Sequence, residues 1–131
     1  MYLNDNEIQA INQASFENLS ALKQFSVAIN NINKFDFRHL KNSKLIESVD
    51  LSNNSIDEIN IPEPERVQKN RQIEYNLKFS RLKIFKAFNN NLRSLNGLGH
   101  FESLEVLKID FYDILKFDYE NKVPKKFKVY F

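Results

Sequence analysis

Only two imidazoles are available for proton transfer, His39 and His100, and they lie far apart in the chain. No cysteine is present, which removes thiolate nucleophiles, disulfides and sulfur-ligated metal sites. Asp110 and Asp113 are near neighbours, but paired carboxylates on a solvated rim are usually unreactive, with nothing to push their protonation apart. The sequence contains no nucleophile elbow, no phosphate-binding glycine loop, no HExxH and no dinucleotide-binding turn. This inventory argues against an enzyme, with no catalytic residue, cofactor or metal expected.

The side chains that do recur at regular spacing are carboxamides. Asn6, Asn30, Asn54 and Asn90 each follow an alternating apolar run and each precede one more apolar residue by two positions. An amide both donates and accepts, so one side chain can bridge backbone groups of neighbouring chain turns. These four residues are therefore expected to form a buried ladder.

The elements that must hold such a ladder follow from the repeated unit. It reads LKQFSVAINNI from Leu22 to Ile32, IESVDLSNNSI from Ile46 to Ile56 and LKIFKAFNNNL from Leu82 to Leu92. It recurs as LEVLKIDFYDI from Leu104 to Ile114, with Tyr112 in the Asn position. MYLNDNEI at the start and PKKFKVYF at the end fit as partial copies, with Phe127 and Val129 in the strand positions of the latter. The first positions are separated by 24, 36, 22 and 20 residues. Three alternating apolar residues make a short strand with one buried face. Phe16 and Leu19 precede Leu22 at the offsets at which Leu98 and Phe101 precede Leu104, so the outer half of each unit also supplies core.

This pattern resembles the leucine-rich repeat family, and the resemblance covers almost the whole chain. It implies an α/β solenoid: an arc with a parallel β-sheet on the concave face and loops, turns or short helices on the convex face. The chain, 1–131, is then one domain of about five to six repeats, the first and last partial. Each repeat buries its face only against its neighbours.

The long spacing places an insertion at about 61–81. It opens with Pro62-Glu63-Pro64-Glu65, which resists regular pairing because proline has no N–H. The following ERVQKNRQIEYNLK is rich in helix-compatible residues. The expectation is a loop and then a short convex helix, with a solvated loop as the alternative. At the other extreme, the first residues lie mid-repeat and the last are an apolar strand. Uncovered strands invite pairing, so a fragment of a larger protein, or self-association through the terminal strands, is expected.

Strand alternation also identifies the outward positions. The middle one reads Tyr2, Ser26, Asp50, Lys86, Lys108 and Lys128 along the chain. The next reads Asn4, Ala28, Ser52, Phe88, Asp110 and Tyr130, and the preceding one Gln24, Ser48, Ile84, Val106 and Lys126. Three stacked lysines beside Phe88, Tyr130, Ile84 and Val106 look like a surface kept for a protein partner, because aligned like charges destabilise a sheet and aromatic anchors are frequent in interfaces. The expected partner-binding set is Ile84, Lys86, Phe88, Val106, Lys108, Asp110, Lys128 and Tyr130.

Residues 1–65 carry a net charge of −5 and residues 66–131 a net of +7, a polarity that can steer a partner to one end. The basic half is interrupted by acids, which disfavours nucleic acid as the partner. No run of eighteen apolar residues is present, so no membrane span is expected. Asn18-Leu19-Ser20 and Asn53-Asn54-Ser55 are glycosylation triplets, relevant on a secretory route. The 24-residue spacing and the phrase ASFENLSALKQF resemble the extracellular type of repeat found in Toll-like receptors and in secreted mosquito leucine-rich immune proteins. That resemblance implies a secreted glycoprotein that captures a protein partner in innate immunity. The chain departs from that type in lacking cysteine-bearing caps. The alternatives are a structural piece of a larger leucine-rich repeat receptor and a cytoplasmic repeat scaffold.

Overall fold

The computed structural model describes residues 1–93, 95–110 and, for the backbone, 128–130. Short apolar-alternating segments become three-residue strands: β1 (Gln24–Ser26), β3 (Ser48–Asp50), β7 (Ile84–Lys86), β8 (Val106–Lys108) and β9 (Lys128–Tyr130). They form one parallel sheet in that order. Phe25, Val49, Phe85 and Leu107 stand in neighbouring rows on its buried side. Ahead of β1, Tyr2 bridges Ser26, and Leu3 and Asp5 donate to the carbonyls of Ser26 and Ala28, so the N-terminal segment adds a further row. This is a parallel β-solenoid with the architecture of a leucine-rich repeat arc.

The opposite side of the solenoid is built from minimal elements. β2 (Lys34–Asp36) pairs in parallel with β4 (Glu58–Asn60). Short 3₁₀ turns span Gln13–Phe16, Phe37–Leu40 and Leu98–His100. Two begin with a side-chain cap: the Asn12 carboxamide oxygen accepts from Ala14 N–H and the Asp36 carboxylate from Arg38 N–H. Among the described residues no helix is long and apolar enough to cross a membrane.

Between the two sides runs a core rich in phenylalanine. Phe37 is fully buried at its centre, with its ring centroid 5.3 Å from Phe35, 5.5 Å from Phe79, 5.5 Å from Phe85 and 5.0 Å from Phe101. Phe25 joins this cluster to Phe16 through a T-shaped contact at 5.2 Å. Edge-to-face geometry matches the positive edge of one ring to the negative face of the next. Ser43 sits in the core at the position of an apolar residue, and its hydroxyl donates to the Leu19 carbonyl of the preceding turn.

The insertion is a β-hairpin rather than a helix. β5 (Glu65–Lys69) pairs antiparallel with β6 (Gln72–Asn76), from Glu65 opposite Asn76 to Lys69 opposite Gln72. Asn70 and Arg71 form the connection with φ of 50° and 65°, the left-handed pair that a two-residue hairpin turn needs. Val67, Ile73 and Tyr75 suit extended backbone, and this local preference outweighs the summed helix propensity. The turn signal was hard to read because the second position is arginine, not glycine. Past the hairpin, Gly97 (φ +90°) lies against the Ile61 backbone, where an added Cβ would be 2.8 Å from the Ile61 carbonyl oxygen.

The last strand also departs from expectation. β9 pairs with β8 so that Lys128 stands beside Val106, Val129 beside Leu107 and Tyr130 beside Lys108. The sequence pattern had placed Phe127 where Val129 stands. A slip of two residues keeps every side chain on its own face, so the alternation in FKVYF is equally compatible with both registers. The observed register repeats the 22-residue step that separates β7 from β8. Tyr112, Ile114 and Phe127 lie outside the described residues.

Candidate functional site

The carboxamides are placed by the corner at the end of each main strand. Asn30 Nδ2 donates to the carbonyls of Leu3 (2.9 Å) and Val27 (2.8 Å), while its Oδ1 accepts from Ile8 N–H (3.1 Å). Asn54 does the same one turn later, to Val27 (3.1 Å) and Leu51 (3.0 Å), accepting from Ile32 N–H (3.1 Å). Asn90 repeats it again, to Leu51 (3.0 Å) and Ala87 (3.2 Å), accepting from Ile56 N–H (3.0 Å). Asn6 differs from the buried position expected for it. It is exposed and reaches only the carbonyls of Leu3 and Asn4. Asn54 and Asn90 are half-buried, and Asn30 is the buried member.

Immediately before each of these residues the chain is left-handed: Asp5 (57°), Ile29 (58°), Asn53 (56°) and Asn89 (54°). Asp and Asn tolerate that region; a β-branched residue does so at a cost. Sequence reasoning missed this position, although its Asp/Asn preference was the available signal. Ile29 breaks the preference and is also exposed.

On the outward face of the main sheet, Ile84, Lys86, Phe88, Val106, Lys108 and Asp110 come together. Ile84 is directly beside Val106, and Lys86 beside Lys108. Lys108 Nζ lies 4.9 Å from the centroid of the Phe88 ring, within cation–π range. All six are half-buried. Asp110 has a backbone role: its Oδ2 accepts from Asn89 N–H at 2.8 Å. That bond holds the left-handed corner, a task that was not apparent from the sequence.

The expected row of three lysines is corrected by the β9 register. Lys128 belongs beside Val106, and Tyr130 takes the place next to Lys108. The lysine row is thus Lys86 and Lys108, continued in one direction by Asp50 and in the other by Tyr130. Towards the N-terminal end the face is polar and small, with Ser26, Ser48 and Ser52. Of the two glycosylation triplets, Asn18 is exposed, whereas Asn53 is half-buried and its Oδ1 accepts from Asn89 Nδ2 at 2.6 Å. His39 packs against Phe35 with ring centroids 6.0 Å apart, and His100 ends the 3₁₀ turn at Leu98–His100, so the imidazoles are on the outer side and not on the sheet face of Lys86 and Lys108.

The fold is a parallel β-solenoid with an open sheet surface, consistent with a leucine-rich repeat solenoid. A family model described as leucine rich repeat matches residues 1–56, which supports assignment to a leucine-rich repeat family. No curated protein and no solved structure matches the chain. The matched segment ends at Ile56. Beyond it, Asn90 makes the same set of bonds as Asn54, so the repeat geometry continues as far as Asn90. A leucine-rich repeat domain suggests a protein-interaction module.

Proposed function

We propose that the protein is a non-catalytic recognition module that docks a protein partner on the concave face of its sheet, centred on Ile84, Lys86, Phe88, Val106 and Lys108. The single observation that carries this reading is the pair of lysines set side by side on β7 and β8, next to the Phe88 ring. Like charges directly opposite one another cost stability. A sheet face that keeps them beside half-buried apolar groups has the composition of an interface.

The finer reading is capture of a partner in extracellular fluid, in keeping with the resemblance to secreted immune repeats. The exposed position of Asn18 suits a glycan, and its attachment is read as a mass shift on glycosidase treatment of protein from a secreting cell.

The test is affinity capture from native fluid on immobilised protein, comparing the native chain with Lys86→Glu/Lys108→Glu. The reading expects capture to fall by at least about tenfold, given the effect of charge complementarity on association. Unchanged capture by the variant removes this face as the site.

A further inference from the structure

Along β7 and β8 the outward side chains change type at each step of two residues. Ile84 and Val106 form one apolar rank and Lys86 and Lys108 a cationic one, and just past β7 the Phe88 ring lies beneath the Lys108 ammonium. In extended backbone a step of two residues advances about 6.6 Å. A partner segment in the same conformation presents one side chain per rank at the same interval.

The cationic rank also makes no ion pair among the described residues, where the ion pairs are Lys34–Glu58, Arg38–Asp36 and Lys78–Glu102. The adjacent carboxylates are engaged with backbone: Asp110 with Asn89 N–H at 2.8 Å and Asp50 with Ser52 N–H at 3.0 Å. Two ammonium groups on neighbouring strands, whose backbones are about 4.8 Å apart, can share one carboxylate from outside.

We propose that the occupant of this face is an extended acidic segment of a partner protein with the pattern apolar–x–acidic–x–apolar. Its carboxylate bridges Lys86 and Lys108, and its two apolar side chains rest on Ile84/Val106 and on Phe88. The inference rests on this face being the docking surface and adds the chemistry of what docks there.

The test uses three synthetic peptides of about nine residues, long enough to cross the ranks in extended form, read by fluorescence anisotropy on the full chain. One carries the pattern with Glu at the centre, one has Gln in its place and one has Lys. A single-stranded oligonucleotide serves as the competing anion. The Glu peptide binds at least about tenfold tighter than the Lys peptide, as charge matching predicts. The difference shrinks as salt rises from about 50 to about 500 mM. In Lys86→Glu/Lys108→Glu the order inverts and the Lys peptide binds tighter. Lys86→Gln/Lys108→Gln, which adds no like charge beside Asp50, abolishes the preference, and both variants are checked by circular dichroism.

Equal affinity for the three peptides overturns the proposal, as does tighter binding of the oligonucleotide. Should the Gln or Lys peptide prefer the native face and lose affinity on Phe88→Ala, the acidic occupant is wrong while the face survives. Should the Glu peptide respond to Arg38→Gln/Lys41→Gln on the outer side and not to the lysine variants, both fall.

Discussion

Asn90 Nδ2 donates to the Leu51 carbonyl at 3.0 Å across 39 residues of chain. Asn54 makes the equivalent bond to Val27 across 27 residues. The same contact forms over both lengths because the hairpin of β5 and β6 leaves the solenoid and returns to it. Asn91 N–H also donates to the Ile56 carbonyl, so the turns on either side of the insertion are stacked directly on each other.

Replacing Glu65–Asn76 by a short glycine-serine link therefore leaves the fold intact. The hairpin is exposed along most of both strands, and loop length affects stability only weakly. The expected change in unfolding free energy is about 1 kcal/mol or less, measured by urea denaturation. Loss of cooperative unfolding in the shortened chain would show that the hairpin supports the stack.

Asn54 separates the donor from the acceptor role of the carboxamide. Asn54→Ala leaves Ile32 N–H without its acceptor and takes one of two carboxamide donors from each of the Val27 and Leu51 carbonyls, which keep Asn30 and Asn90, a loss of about 1–3 kcal/mol. Asn54→Asp retains the acceptor but aims a carboxylate at those carbonyls. That raises the folded-state pKa of the introduced group above its unfolded value, so the variant is relatively more stable at acid pH and loses stability as pH rises through the carboxyl range. Urea titrations at several pH values, each compared with the native chain, check both slope and sign. A flat difference would mean that donation to the carbonyls contributes nothing.

Ile29 is the residue out of character at the left-handed corner, with φ of 58° and 52% of its surface exposed. A left-handed conformation costs an ordinary residue about 1–2 kcal/mol, and little apolar burial offsets it here. Ile29→Asn is expected to stabilise by about 1 kcal/mol. The reverse exchange, Asn53→Ile, is expected to destabilise by a similar or larger amount. Thermal unfolding midpoints of the two variants should move in opposite directions.

Phe37→Ala removes the ring that touches four others and is expected to destabilise by about 3–5 kcal/mol, the range for truncating a buried aromatic. Phe37→Leu, which refills much of the space, should recover more than half of that loss. A small effect of the alanine variant in urea denaturation would place the centre of the core elsewhere.

The strand rows up to β8, the carboxamides Asn30, Asn54 and Asn90 and the outer apolar residues were legible in the chain itself, because alternation and the Asn offset are local properties of eleven-residue units; Asn6 fits the same offset but is exposed and bonds only to Leu3 and Asn4. Leu22, Ile46, Leu82 and Leu104 announced the stack without any knowledge of what faced what. Three features depended on contacts distant in sequence. The register of β9 was open because Phe127 and Val129 are interchangeable under a two-residue slip, and only pairing with β8 selects Val129 and sets Tyr130 beside Lys108. The insertion became a hairpin because Asn70 and Arg71 both accept left-handed backbone, a choice that summed propensity does not register. Asp110 lies on the outward face as its position indicated, and tertiary stacking adds a bond from Asn89 N–H to its carboxylate. Periodicity specifies which side of a strand is buried; which strand lies next to it, and at what offset, is decided by hydrogen bonds and packing between turns that no local window contains.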